Sequence, residues 1–175
     1  MGRLFDAVAS LAGVCHRAEY DAQAAMELEA RTERVDAPGY GFAILDEPDG
    51  SWRLDAAPVI AEVVEDVLAG TPTTVLATRF HQGVADLTVE VALRQASTTG
   101  LTRVTLSGGV FLNAHLSSLC DRSLSAHGFE VLRHRKVPPS DAGISLGQVA
   151  VLAHTYPLTR TDRRYTAPEE ESACA

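Results

Sequence analysis

The chain has 175 residues, 46% of them hydrophobic, enough for one domain or two small ones with a real core. Its formal net charge of −8 argues against nucleic acid as the default partner, and no apolar run approaches membrane-spanning length. Cys15, Cys120 and Cys174 are far apart and form no C-x-x-C pair, which argues against a disulfide scaffold and a cysteine zinc site.

From the N-terminus, the spacing of Leu4, Phe5, Val8, Leu11 and Ala12 predicts a helix over 2–13. No signal-peptide pattern precedes it, so the cytoplasm is the expected location. A second helix is expected over 20–34, rich in alanine, leucine and glutamate and broken by Pro38-Gly39. Strands over 40–45 and 51–54 flank Asp46-Glu47-Pro48-Asp49-Gly50, a hairpin signal. A helix follows over 58–69, with Pro58 in its first turn, and Gly70-Thr71-Pro72 ends it. The longest helical pattern covers 73–98. Val75, Leu76, Phe80, Val84, Leu87, Val91 and Leu93 form its expected buried face, and Gly100 closes it. A strand over 101–106, a helix over 111–127, a strand over 130–133 and a helix over about 143–154 complete the pattern, with Tyr156-Pro157 as the stop. This is a helix-rich α/β domain with few strands over 1–155. Residues 156–175 read as a disordered tail, because 159–175 is polar, charged and without period.

Two loops carry the chemistry. Ser107-Gly108-Gly109-Val110-Phe111-Leu112-Asn113 follows an apolar strand and opens a helix. Glycines remove the Cβ barrier, and a helix N-terminus offers unpaired N–H groups, so the place suits a phosphate or another anion. A tight strand-to-helix turn with no ligand is the commoner meaning of an isolated glycine pair. Asn113 either reaches a ligand or bonds the local backbone. The second loop, Pro138-Pro139-Ser140-Asp141-Ala142-Gly143, also opens a helix. Asp141 there can cap the helix, bind a metal or act as a base. Asp6, Glu27 and Glu29 read as solvated helix residues, and His81 as a packing residue. None of the six histidines forms an H-x-x-x-H pair, so histidine metal binding within this chain is unsupported.

Four segments in order, 1–9, 23–29, 106–113 and 137–148, together resemble the C-terminal end of the hydrogenase-maturation carbamoyltransferases. The resemblance runs from about Met1 to His154. That family is similar to the enzymes that make threonylcarbamoyl-adenosine in tRNA and to O-carbamoyltransferases of antibiotic synthesis. The resemblance implies the C-terminal lobe of a two-lobed, actin-like (ribonuclease H-like) ATPase fold with nucleotide between the lobes. It implies that carbamoyl-adenylate, made from ATP and carbamoyl phosphate in a separate domain, passes its carbamoyl group to a C-terminal cysteine thiol of a NiFe hydrogenase maturation partner. Carried over by position, Asp6 would bind the ribose hydroxyls of ATP or carbamoyl-adenylate. Gly108 and Gly109 would face its phosphates, Asn113 would contact the nucleotide, and Asp141 would be a ligand of a zinc or iron ion. None of these positions is implied to be catalytic.

The chain departs from the family pattern at Ala22, where tyrosine-acid-glycine-glutamine is usual and Tyr20-Asp21-Ala22-Gln23 stands here, and mildly at Ala142 before Gly143. The family's paired metal histidines lie in a preceding lobe, outside this chain, as does the adenylate-forming domain. The expectation is therefore a fragment or a subunit of a split enzyme, inactive alone. The competing reading is a non-catalytic binding or scaffolding module that keeps the fold. A sugar-kinase-like lobe shares the fold but explains 138–148 less well.

Overall fold

A computed structural model of the protein describes residues 1–33 and 37–156. The expected disordered stretch from Thr159, the proline of the Tyr156-Pro157 stop, Cys174 and the expected helix end at Arg34 lie outside the described residues. Six helices and four short strands follow in the order α1 (Gly2–Leu11), α2 (Gln23–Glu29), β1 (Ala43–Asp46), β2 (Trp52–Asp55), α3 (Ala57–Leu68), α4 (Thr73–Thr99), β3 (Arg103–Leu106), α5 (Ala114–Ala126), β4 (Glu130–Arg133) and α6 (Ile144–Thr155). Single 3-10 turns at Gly109–Leu112 and Asp141–Gly143 precede α5 and α6.

β1 and β2 form the expected antiparallel hairpin, in register from Ala43–Asp55 to Asp46–Trp52. Its turn is Glu47–Ser51, one residue later than the pattern indicates, with Gly50 at φ +82°. β3 and β4 pair in parallel, Arg103 with Glu130 through Leu106 with Arg133, and α5 makes the crossover between them.

α4 is the central element. Between Leu76 and Val89 it is buried on most of its circumference, and the expected face holds at Leu76, Phe80, Val84 and Leu87. Leu93 departs from expectation and is exposed. The last turns of α4 are covered on one side only, where Ala92 and Ala96 meet the core. Phe5 of α1 packs edge-on against Phe80 with ring centroids 4.8 Å apart, joined by Val8, Leu28, Leu116, Cys120 and Leu124. Each such large side chain taken from water contributes roughly 1.5–3 kcal/mol.

The expected second helix is much shorter than its alanine-rich sequence suggests. Ala22 adopts a left-handed conformation at φ +60°, which no right-handed helix accommodates, so α2 begins only at Gln23.

The other face of α4 carries small residues because backbone crosses it. A Cβ on Gly83 would collide with the Tyr40 carbonyl, and one on Gly39 with the Gly83 amide. The crossing is fastened by polar groups: the Tyr40 amide donates to the Arg79 carbonyl at 3.2 Å, and the Tyr40 hydroxyl donates to Asp66 at 2.6 Å. Arg79 pairs with Asp66, lies over the Tyr40 ring at 4.2 Å and donates to the Pro38 carbonyl at 3.2 Å. Burial, and then the bond to Asp66, push the Tyr40 hydroxyl well above its ordinary pKa, so it stays a donor.

Because backbone cannot move aside as a flexible side chain can, Gly83→Ala is expected to destabilise the fold by about 2 kcal/mol or more. Denaturant unfolding of the variant checks this. An unchanged midpoint would show that the crossing is looser than described.

Candidate functional site

The site begins with how α5 starts. The Asn113 Oδ1 accepts from the Leu116 amide at 2.7 Å, a side-chain cap. The Glu29 Oε1, from the end of α2, accepts from the His115 amide at 3.0 Å. Two of the orphan amides of α5 are thus satisfied, and the Glu29 carboxylate faces the positive end of the helix. The remaining polar atom of Asn113, Nδ2, meets Nε2 of His81 at 2.9 Å. His81 Nδ1 lies 2.8 Å from the Ala77 carbonyl, which can only accept. The proton therefore sits on Nδ1, and Nε2 accepts from Asn113. Burial first, with the nearby His115 ring adding to it, lowers the His81 pKa to about 4, so the imidazole is neutral.

This overturns two expectations. α5 starts at Ala114, not at Phe111, because Asn113 is extended and capping. Glu29 is a half-buried cap rather than a solvated helix residue. At the α5 N-terminus the His115 and Leu116 amides are already bonded by protein groups. On the preceding 3-10 turn the first amides, at Gly109 and Val110, have no acceptor within their own turn. Gly108, at φ +99° and ψ 159°, holds a conformation open essentially to glycine alone. Its amide donates to the Pro139 carbonyl at 2.7 Å, so the two chemistry-bearing loops do meet. Gly109 has an ordinary φ, and a Cβ there would touch nothing.

A cavity of about 360 Å³ opens beside this turn, lined by Gly2, Phe5, Ala22, Ala25, Met26, Glu29, Gly109, Val110, Leu112 and Asn113. Gly109 and Asn113 therefore share one space with the missed residue Glu29. No sequence period marks Glu29, because its partner is 86 positions away. Asp6 instead borders an adjoining cavity of about 240 Å³ with Cys15, His16, Tyr20 and Asp21, and it pairs with Arg3 at 3.4 Å. Ala22 borders both cavities. Asp141 is exposed on its 3-10 turn and borders neither; Gly143 lets that turn close against the Pro138 carbonyl. Among the described residues no three histidine, cysteine or acidic side chains cluster as a metal site. Cys120 is a buried core residue and Cys15 is half-buried. No helix among the described residues is long and apolar enough to cross a membrane.

The chain is similar to proteins of one family. Residues 1–148 match the family described as the carbamoyltransferase Kae1-like domain, second subdomain. The chain is 32% identical over 149 residues to the carbamoyltransferase HypF of Synechocystis sp., covering 85% of this chain and 19% of that protein. It is 35% identical over 178 residues to that of Rhizobium leguminosarum bv. viciae, covering 100% of this chain and 22% of the relative. The crystal structure of full-length HypF in its phosphate- and nucleotide-bound form superposes with a TM-score of 0.82 at 37% identity, over 89% of this chain and 20% of that one. The chain thus spans about a fifth of the length of these relatives.

Two outcomes are expected. Ala22→Gly should stabilise the fold by about 1 kcal/mol, read as a raised unfolding midpoint, because a left-handed alanine becomes a glycine free of that penalty. A lowered midpoint would refute the assignment of strain. Stability should also fall as pH drops from about 6.5 towards 4, by up to about 3 kcal/mol. In that window unfolded His81 takes a proton that the folded protein refuses. Unfolding titrations in which His81→Leu keeps the full wild-type slope would exclude this cause.

Proposed function

The chain belongs to the HypF carbamoyltransferase family, and from that premise we propose that it supplies the nucleotide-facing wall of a carbamoyl-transfer site. The observation that carries this reading is the composition of the larger cavity. Met26 and Leu112 offer exposed apolar surface for a flat base above the buried Phe5, while the free Gly109 and Val110 amides suit phosphate oxygens. The oxygen of Glu29 not engaged by His115 suits a hydroxyl. A nucleotide lying across Ala22 would bring its ribose to Asp6 in the adjoining cavity. The ligand in this reading is ATP or carbamoyl-adenylate, held between two lobes of an actin-like arrangement.

The whole transfer is a reaction of a longer assembly. An adenylate-forming domain makes carbamoyl-adenylate, and the thiol of a hydrogenase-maturation partner takes the carbamoyl group by attack on its carbonyl carbon, with AMP as the leaving group. Asp141 does not by itself fit a zinc or iron ion, since a catalytic metal of this kind has about three protein ligands. No step is assigned to a metal here. That Asp141 has no companion ligands among the described residues also favours a second reading, a scaffolding lobe that keeps the fold without the chemistry.

Calorimetric titration of ATP into the chain separates the two readings. The wild type is expected to bind, and Gly109→Ala to bind about tenfold or more weakly at an unchanged unfolding midpoint, because its Cβ meets no protein atom and stands in the cavity. Equal binding by both, or none by the wild type, would remove the nucleotide reading. The isolated chain is expected to show no carbamoyl turnover, and turnover would overturn the view that it is one wall of a larger site.

A further inference from the structure

The run Arg133-His134-Arg135-Lys136 has no part in the nucleotide reading, and it stands in a chain of net charge −8. It begins at the last residue of β4 and leads into the loop of Pro139 and Asp141. Beside it, at the carboxyl ends of β3 and β4, lies a third cavity of about 150 Å³. Parallel strands of α/β sheets take their ligands at that end. The volume is below the roughly 300–1,000 Å³ of a pocket for a drug-sized molecule, so it suits a small ion or a single functional group. The floor is apolar: Leu106, the buried last residue of β3, and Phe111 of the glycine turn. Ser117 of α5 lines it with Arg133, His134 and Arg135, and among the described residues no acidic side chain does. Asp121 pairs with Arg133 at 3.2 Å, and one carboxylate leaves part of a five-donor guanidinium open. Arg135 is exposed and has no acidic partner among the described residues.

We propose that this cavity is a second anion site, which takes a small oxyanion, a phosphate or a carboxylate, between the two chemistry-bearing loops. Planar guanidinium groups match either anion with paired donors, and the imidazole and one hydroxyl complete the set. The position is fixed by the ties that join the loops. The Ser107 hydroxyl meets Nε2 of His134 at 3.0 Å, linking the residues that follow β3 and β4. Pro139, which closes one side of the cavity, holds the Gly108 amide through its carbonyl at 2.7 Å. The glycine turn separates this site from the nucleotide cavity: Gly109, Val110 and Leu112 line that one, and Phe111 lines this one. The proposal therefore goes beyond the nucleotide reading and does not depend on it.

Sodium phosphate and sodium butyrate, each titrated at constant ionic strength into the isotope-labelled 175-residue chain, test the proposal through amide NMR shifts. No nucleotide is present, so the outcome is separate from that of the ATP titration. Saturable shifts at Ser117, His134 and Arg135 are expected from at least one probe. Saturation by phosphate alone names a phosphate as the occupant, and saturation by butyrate alone names a carboxylate. No saturation by either probe would overturn the proposal. So would shifts confined to Glu29, Gly109 and Val110, which line the nucleotide cavity. Arg135→Gln is expected to weaken the binding about tenfold at an unchanged unfolding midpoint, because it removes a charged donor from an exposed side chain. Arg122→Gln, an exposed position of α5 outside the cavity, is expected to leave the binding unchanged. Wild-type affinity in Arg135→Gln, or an equal loss in both variants, would reduce the effect to general charge and overturn the proposal. The wild-type shift map decides the matter by itself if a variant does not fold.

Discussion

The start of α5 is the junction on which the candidate site depends. Asn113 bonds the Leu116 amide with one end of its side chain and His81 with the other, while Glu29 takes the His115 amide. Three helices, α2, α4 and α5, are joined there through two side-chain caps and one neutral imidazole. The glycine turn ends at this junction, so its free amides point where the junction allows. Satisfying α5 from within takes the His115 and Leu116 amides out of reach of any outside acceptor. A phosphate has no claim on amides already bonded to Asn113 and Glu29, and the negative charge of Glu29 disfavours it there. What remains open is the short 3-10 turn at Gly109.

The same economy of space appears on the far side of α4. Gly39 and Gly83 let a peptide strand cross the helix in backbone contact, and the Tyr40–Asp66–Arg79 group fastens the crossing. α4 is therefore held from both sides: by packed aromatic rings and His81 towards the site, and by backbone towards the hairpin. That explains why a polar residue such as His81 sits fully buried at its middle. It is neutral, both ring nitrogens are bonded, and its ring stacks edge-on with Phe5 at 5.4 Å.

Most elements were legible as periodicity because they need only neighbours in the chain. α1, α3, α4, β2 and β4 lie within a residue or two of where apolar spacing, proline and glycine put them, while β1 starts three residues later than expected. The two failures have one cause. α2 is cut short by Ala22 in a left-handed conformation, and α5 is delayed by Asn113 in an extended one. Neither alanine nor asparagine announces its backbone conformation; the surroundings impose it. For the site, the glycine pair and Asn113 were visible as residue types, and the structure gives Gly109 and Asn113 a common cavity. Glu29 was invisible because a glutamate in a glutamate-rich helix looks solvated until a helix end arrives 86 residues later. Asp6 and Asp141 were equally visible, and the structure sets each apart from that cavity.

The chain's own residues determined the helix-rich character, the order of elements, the family resemblance in four ordered segments, and the glycine turn as a place open to an anion. These follow from local rules: apolar spacing, helix breakers and the missing Cβ of glycine. Only the tertiary structure decided which amides stay unpaired and which carboxylate lines the cavity. Those are questions of which groups meet across the fold, and a hydrogen-bonding group is free or filled only with respect to partners far away in sequence.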